Sequence, residues 1–255
     1  MELVSIITPS YNSSNFIAET IESIQAQTYT NWELLITDDC STDDTVEIVR
    51  QYASKDERIK LFMLKENSGG GVARNNSIEQ ARGRYIAFCD SDDCWYPTKL
   101  EKQIAFMQEK DIALTFSSYM TCNEWGKVNG IIVAPLSATY KSTLCDNKIG
   151  CLTGVYDTKK VGKVYLPLIR KRQDWGLWIK VLQKCGSAYA LKEPLALYRL
   201  REDSISSNKL NLIKYNVGLY QEVLGWSKSR ALLFFIFAFI PAYIMKKMLV
   251  RAYNK

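Results

Sequence analysis

Histidine is absent from all 255 residues of the sequence. This side chain is the one that most often transfers protons near neutral pH, and it is a common nitrogen ligand of zinc. Its absence excludes zinc sites built on histidine and restricts a general base to a carboxylate, lysine, tyrosine or cysteine side chain. Any catalytic proton transfer in this chain therefore belongs to one of those groups.

A disulfide or C-x-x-C framework is also missing. The seven cysteines include no C-x-x-C pair, and their number is odd. We interpret them as free thiols in a reducing compartment. No charged and apolar leader precedes the strand-like segment 4–7, so we expect the first half of the chain to work in the cytosol. The net charge of +6 is modest and does not indicate nucleic-acid binding.

Glycine is missing from the turn after the first apolar segment, which reads Pro9-Ser10-Tyr11-Asn12-Ser13-Ser14. A Rossmann dehydrogenase needs G-x-G-x-x-G at this turn, so that class is excluded. A nucleotidyltransferase would need a glycine-rich, basic loop at the same place, and this turn is neither.

No charge-free apolar run is as long as the roughly 20 residues of a typical membrane span. The longest, residues 231–245, would extend about 22 Å as a helix, and Pro241 would kink it. Lysine and arginine flank it on both sides. We favour a helix that lies in the membrane interface with its basic neighbours near anionic headgroups. A buried core helix and a short tilted span remain alternatives.

What the sequence does contain is an alternation of strand-like and helical segments. The strand-like segments are 4–8, 34–37, 59–64, 85–89 and 112–116, and the helical ones are 16–27, 45–54, 72–81 and 99–109. This order predicts an α/β fold with a mostly parallel central sheet flanked by helices. We assign residues 1–208 to a catalytic domain and residues 209–255 to a C-terminal helical, membrane-associating extension.

Polar clusters follow the predicted strands where each one ends. They are Asp38-Asp39, the loop 67–71 and Asp90-Ser91-Asp92-Asp93, in addition to the turn after the first strand. The carboxyl ends of parallel strands lie at one edge of a sheet, where ligands of α/β proteins bind. The sequence therefore predicts one site that these loops share.

The cluster Asp90-Ser91-Asp92-Asp93 follows directly after a buried strand. In an extended segment, residues i and i+2 point the same way, so Asp90 and Asp92 can face one ligand. Like charges this close repel unless something positive lies between them, and a hard divalent cation bound to substrate phosphates would supply that charge. A solvated acidic turn that caps the next helix explains the local sequence equally well.

Three further positions have both a functional and a structural interpretation. Asp39 can bind a ribose hydroxyl or a base, or the segment it begins can serve only to cap the next helix through Ser41, Thr42 or Asp43. The glycine run before Arg74 can meet an anion at a helix N-terminus, or it can be a plain loop. Asp174 follows Arg170-Lys171-Arg172 and is either a helix cap or a general base.

Taken together, these motifs resemble the family 2 glycosyltransferases of the GT-A fold, over about residues 3–208. The segment VSIITPSYN resembles the opening strand of that family, whose proline and tyrosine, here Pro9 and Tyr11, flank the nucleotide base. Asp39 matches the base-binding aspartate. The loop NSGGGVARN resembles the one whose arginine, here Arg74, helps to hold the nucleotide.

The remaining motifs concern the metal and the chemistry. Asp90-Ser91-Asp92 matches the DXD motif, in which Asp92 would ligate Mg²⁺ or Mn²⁺ and Asp90 would help position ribose and metal. Asp174 stands where the family has its catalytic base, with Gln173 in place of the usual glutamate. Arg201 stands where members often have histidine; because arginine does not ligate cations, we expect it to bind the diphosphate directly.

The resemblance implies inverting, metal-dependent transfer of a sugar from a nucleotide sugar, expected to be a UDP-sugar. The acceptor would be a hydroxyl of a lipid-linked saccharide in bacterial surface polysaccharide synthesis. The membrane surface would contact the C-terminus, and the enzyme would lie at the cytoplasmic face. The alternative is a non-catalytic, membrane-associated protein that binds nucleotide sugars.

Overall fold

The computed structural model describes residues 1–200 and 212–245, so Arg201 lies outside the described residues. Within them, ten strands form one sheet. The strands are β1 (Val4–Ser10), β2 (Trp32–Asp38), β3 (Ile59–Met63), β4 (Tyr85–Phe88), β5 (Cys94–Trp95), β6 (Leu114–Cys122), β7 (Val128–Ile132), β8 (Ser137–Thr139), β9 (Val155–Asp157) and β10 (Ser187–Arg199).

Helices separate most of the strands. They are α1 (Ile17–Gln25), α2 (Thr45–Ala53), α3 (Gly70–Gln80), α4 (Lys99–Glu109), α5 (Tyr140–Cys145), α6 (Thr158–Val161), α7 (Gln173–Cys185), α8 (Leu212–Leu224) and α9 (Lys228–Phe234). A 3-10 turn lies at Cys151–Thr153, and a π-helical segment at Phe235–Phe239 continues α9.

The sheet has the strand order β3-β2-β1-β4-β9-β6-β10-β5, with β7 on β6 and β8 on β10. The first four strands of this order are parallel, as are β6 and β10, whereas β9 runs antiparallel between β4 and β6. The predicted α/β fold with a mostly parallel central sheet is confirmed. The sequence did not reveal the short strands β7, β8 and β9.

Helices cover both faces of the sheet, which explains why its central strands are apolar on both sides. Ile6 and Ile7 are neighbours in β1 and point to opposite faces, and both are fully buried. Ile6 belongs to the apolar cluster that includes residues of α1, α2 and α4. Ile7 belongs to the cluster on the other face, which includes Trp178 of α7.

The C-terminal helices pack on α7. Leu219 and Tyr220 of α8 are fully buried. The ring of Tyr220 lies 6.4 Å from that of Trp175, and its hydroxyl donates to the Leu144 carbonyl at 2.6 Å. Phe235, beyond α9, is buried against Tyr220 in turn. The described part of the extension thus forms the layer behind α7, while the boundary at residue 208 stays a prediction.

The helix that begins at Lys228 continues to Met245 and is long and apolar enough to cross a membrane by length and composition. Only 11% of it is buried in the protein, which argues against a core helix. Phe237 is 74% exposed, and Leu233 and Ile244 are more than half exposed. One side of this helix packs on the protein, and the other is an apolar surface without a protein partner among the described residues.

Candidate active site

The loops after the first four parallel strands meet at the carboxyl edge of the sheet, as the sequence predicts. The amide of Asn12 donates to the Ser41 hydroxyl at 2.9 Å, which joins the loops after β1 and β2. The hydroxyls of Ser13 and Ser91 lie 2.7 Å apart and join the loops after β1 and β4. The side-chain amide of Asn67 donates to the Asp39 carbonyl at 3.1 Å, which adds the loop after β3. Together these bonds make the four loops one surface.

The predicted base-binding residues lie on this surface. Pro9 is buried near the end of β1, in register with Thr37 of β2. Tyr11 follows the strand, and its exposed fraction of 49% leaves its ring open to a ligand. Their contact with a nucleotide base stays a prediction.

The carboxylate of Asp39 is hydrogen-bonded to the neighbouring loop. Its two carboxylate oxygens accept hydrogen bonds from the amides of Ser68 and Gly69, each at 2.7 Å. Gly69 has a φ of 89°, a conformation that glycine adopts without strain, and α3 begins immediately after it. Asp39 therefore fastens the glycine loop, and each oxygen keeps a second lone pair that a nucleotide can use.

Arg74 and Asp90 form an ion pair. One terminal nitrogen of Arg74 lies 2.6 and 2.7 Å from the two carboxylate oxygens of Asp90. Both side chains are largely withdrawn from solvent, and the Nε of Arg74 is buried without a partner among the described residues. The guanidinium thus supplies part of the positive charge that the acidic turn needs.

Asp93 and Arg199 join this turn to β10. The buried carboxylate of Asp93 accepts the amide of Arg199 at 3.0 Å. Burial raises the pKa of Asp93 well above its usual value, and the charges of Asp92 and Asp90 raise it further. We assign Asp93 a structural role.

The side chain of Arg199 fixes the backbone of the turn. Its Nε donates to the Asp92 carbonyl at 3.0 Å, and a terminal nitrogen donates to the Glu124 carbonyl at 2.8 Å. The same guanidinium pairs with Glu19. Sequence reasoning missed Arg199, although it stands two residues before Arg201.

The predicted metal ligands offer only oxygen atoms, which suit Mg²⁺ or Mn²⁺. In residues 1–200 and 212–245, no group of three or more acidic or cysteine side chains could hold a metal by itself. Magnesium usually binds one or two carboxylates together with substrate phosphates. Asp90 and Asp92 therefore fit a cation that arrives with a diphosphate.

Asp174 lies in the first turn of α7 and not at its cap position, which Arg172 occupies. The amide of Asn147 donates to its Oδ2 at 2.8 Å. Burial raises the pKa of Asp174 above its usual value, and Asp90 adds to this, while Arg74 and the Asn147 hydrogen bond oppose it. A partly buried carboxylate with a raised pKa has the properties of a general base.

A cavity of about 360 Å³ brings Asp174 and Asp90 to one site. Its wall also includes Arg74, Asp93, Tyr119, Ile132, Asn147, Lys148, Ile149, Gly150, Cys151, Leu152, Arg170, Lys171, Arg172, Gln173 and Tyr198. Pro9, Tyr11, Asp39 and Asp92 lie outside this wall. No pattern in the sequence pointed to Asn147 or Lys148, because the loop after α5 follows no predicted strand.

The mixed sheet and the acidic turn at the edge of its cavity define a GT-A glycosyltransferase. Residues 5–155 match the Glycosyl transferase family 2 domain, and the chain belongs to that family. The predicted family membership and the prediction of an enzyme are therefore confirmed.

Two relatives and one solved structure illustrate the similarity. TuaG of Bacillus subtilis (strain 168), assigned provisionally as a teichuronic acid biosynthesis glycosyltransferase, is 46% identical over 87% of this chain and 88% of its own. WfgD of Escherichia coli, a UDP-Glc:alpha-D-GlcNAc-diphosphoundecaprenol beta-1,3-glucosyltransferase, is 41% identical over 83% of each chain. The S. aureus TarS structure with UDP-GlcNAc superposes with a TM-score of 0.70 at 22% identity, covering 93% of this chain and 73% of that one.

Replacing Arg199 by methionine should destabilise the protein. The change removes the hydrogen bonds to two backbone carbonyls in a side chain that is almost fully buried. We expect the free energy of unfolding in urea to fall by about 2–4 kcal/mol. Lys102→Met, which breaks the exposed pair with Glu193, is the control and should cost less than about 1 kcal/mol. Equal stability of the two variants would show that Arg199 does not hold the turn.

Proposed function

We propose that this glycosyltransferase is inverting and metal-dependent, and that it transfers a sugar from a UDP-sugar to a hydroxyl of a lipid-linked saccharide. One observation carries the proposal: a single cavity contains a partly buried carboxylate of raised pKa, Asp174, together with the Arg74–Asp90 pair of the acidic turn. A general base and a diphosphate-binding edge are the two parts that such a transfer requires.

On the acceptor side, Asp174 takes the proton of the acceptor hydroxyl as that oxygen attacks the anomeric carbon. The bond from this carbon to the UDP oxygen breaks, and its electron pair leaves with UDP. One base suffices, no covalent sugar–enzyme intermediate forms, and the anomeric configuration inverts. Asn147 holds the carboxylate in place through its hydrogen bond.

On the donor side, Pro9, Tyr11 and Asp39 bind the nucleotide, and Arg74 faces the diphosphate. Asp92 and Asp90 would hold the divalent cation, which neutralises negative charge on the departing diphosphate when it is bound. Arg201 is proposed to bind the diphosphate as well and lies outside the described residues.

The relatives support the choice of substrates. The name of WfgD specifies a UDP-sugar donor and an acceptor linked through diphosphate to undecaprenol. The TarS structure contains UDP-GlcNAc in a chain of the same fold. We therefore propose a UDP-sugar donor and a prenyl-diphosphate-linked acceptor, which places the reaction at the cytoplasmic face of the membrane in surface polysaccharide synthesis.

Asp174→Asn should keep donor binding and lose transfer, since the amide cannot accept the acceptor proton. We expect kcat to fall by about 10²–10⁴-fold while UDP affinity, measured by calorimetry, stays the same. In the wild type, kcat should fall as the pH drops through the raised pKa of Asp174, because only the deprotonated carboxylate is a base. Asp44→Asn, an exposed carboxylate before α2, is the control. Unchanged turnover of Asp174→Asn would refute its role.

Removal of divalent cations should abolish transfer, because the diphosphate would leave with its charge uncompensated. We expect a chelator to stop UDP release and Mn²⁺ or Mg²⁺ to restore it. Asp92→Asn should raise the Mn²⁺ concentration needed for half-maximal rate, whereas Asp111→Asn, an exposed carboxylate remote from the cavity, should leave it unchanged. Full activity in the chelator would contradict a metal at Asp92.

The non-catalytic alternative is tested by the same assay. A binding protein would release no UDP from any UDP-sugar, with or without Mn²⁺ and with membrane-extracted acceptor present. Family membership and the partly buried base favour the enzyme.

We also propose that the apolar surface of the helix from Lys228 to Met245 lies in the membrane interface. Leu233 and Phe237 are exposed in the protein, and the basic residues Lys228 and Arg230 stand at the beginning of the helix. An apolar surface of this kind beside basic residues binds anionic bilayers through burial and electrostatic attraction.

The double change Leu233→Glu and Phe237→Glu should weaken binding to phosphatidylglycerol vesicles, since two exposed apolar side chains become charged. We expect most of the protein to shift from the vesicle pellet to the supernatant in sedimentation. This double variant tests the membrane contact more specifically than deletion of the helix would, because deletion would also expose Tyr220. Met63→Glu, at an exposed residue at the end of β3, should sediment like the wild type. Unaltered sedimentation of the double variant would contradict the membrane contact.

A further inference from the structure

Four cationic side chains in the cavity wall have no part in the chemistry proposed above. They are Lys148, Arg170, Lys171 and Arg172, and we call them the basic wall. Within residues 1–200 and 212–245, none of them forms an ion pair with a carboxylate. The same wall contains Asp90, Asp93 and Asp174, and Asp90 is paired with Arg74, so five cationic side chains face three aspartates. The excess positive charge around the cavity repels itself unless a further anion lies among it. The basic wall therefore indicates a site for a polyanion.

The basic wall extends from the predicted base towards the C-terminal helices. Arg172 immediately precedes α7, which carries Asp174, and its guanidinium carbon lies 5.4 Å from the ring centroid of Trp175. The Nζ of Lys171 lies 5.3 Å from the ring centroid of Tyr215 in α8. The amino-terminal end of α7 adds further positive potential. An anion bound here would lie beside Asp174 and α8.

The diphosphate of the donor has other partners. Arg74 and the acidic turn occupy the edge of the sheet, and the nucleotide-binding loops lie there as well. A second anion must therefore come from the acceptor. A prenyl-diphosphate-linked saccharide has its sugar, its diphosphate and its lipid in that order. Asp174 and the basic wall line one cavity. The ring of Trp175, the residue after Asp174, lies 6.0 Å from that of Phe239 in the helix that carries the apolar surface, so a site for each part of such an acceptor adjoins the next.

We propose that the basic wall binds the diphosphate of a prenyl-diphosphate-linked acceptor and so brings the acceptor hydroxyl to Asp174. The inference rests on the proposed function and names the residues that recognise its acceptor. Charge-assisted hydrogen bonds from arginine and lysine to phosphate oxygens supply both the affinity and the orientation. The exposed apolar surface receives the prenyl chain together with the membrane.

The test uses geranyl diphosphate as a short, soluble probe and the full chain saturated with UDP and Mn²⁺, so that the donor site is filled. We expect calorimetry to show that Arg170→Gln combined with Lys171→Gln weakens binding of the probe by about tenfold or more. Lys55→Gln combined with Lys65→Gln removes the same charge at exposed positions outside the cavity and should bind the probe like the wild type.

Four results of these binding measurements would overturn the proposal. The wild type could fail to bind the probe, or the Arg170/Lys171 variant could bind it as tightly as the wild type does. The probe could compete with UDP, or the variant could lose binding to phosphatidylglycerol vesicles and keep binding to the probe. Competition would assign the basic wall to the donor, and loss of vesicles alone would assign it to lipid headgroups. UDP affinity reports the fold of the variant. If it changes, Arg170→Gln alone, at an exposed side chain, takes the place of the double variant with the same expected direction.

Failure of this binding proposal can be distinguished from failure of the proposed transferase function. Asp174→Asn should bind geranyl diphosphate like the wild type, because the base is not part of the basic wall. Probe binding without any UDP-sugar turnover would retain the subsite and reject the transferase. Turnover with an unchanged acceptor KM in the Arg170/Lys171 variant would reject the subsite alone.

Discussion

The crowding of three carboxylates at the end of β4 is the constraint on which the site depends. Asp90, Asp92 and Asp93 follow a fully buried strand; Asp93 is buried, and Asp90 and Asp92 are partly exposed. Two arginines hold the turn by different means. Arg74 pairs with the Asp90 side chain, whereas the backbone amide of Arg199 donates to the Asp93 side chain and its Nε donates to the Asp92 carbonyl. The chain thereby keeps an acidic turn in a defined shape before any cation arrives.

This constraint links distant parts of the sequence. Arg74 comes from α3, which the glycine loop and Asp39 hold at its start, and Arg199 comes from the last strand. Loss of Arg74 would leave the partly buried Asp90 carboxylate without its ion pair, and loss of Arg199 would leave the Asp92 carbonyl without its donor; both changes are costly. The geometry of the turn is therefore a property of the whole sheet and not of the four residues Asp90-Ser91-Asp92-Asp93.

The sequence predicted the helices and strands whose apolar residues form a clear pattern, and it missed the elements that depend on tertiary contacts. The parallel strands β1 to β4 are apolar runs followed by polar turns, and their order was predictable from that pattern. The strand β9 has only three residues, and its place between β4 and β6 is set by its partners. For the same reason Asn147 was missed, because its contact with Asp174 arises only when the loop after α5 folds over α7.

The sequence pattern sets the C-terminal helices apart as an extension, whereas the structure packs them on α7. The change of composition near residue 208 suggested an appendage, yet the rings of Tyr220 and Phe239 pack on Trp175, the residue after Asp174. In the proposed membrane contact, the packing of this helix on α7 would fix the height of Asp174 above the bilayer. The proposed acceptor, a prenyl-diphosphate-linked sugar, also has a fixed height, since its lipid cannot leave the bilayer. Rigid packing of the helix from Lys228 to Met245 on α7, rather than a flexible tether, is what such an acceptor would require.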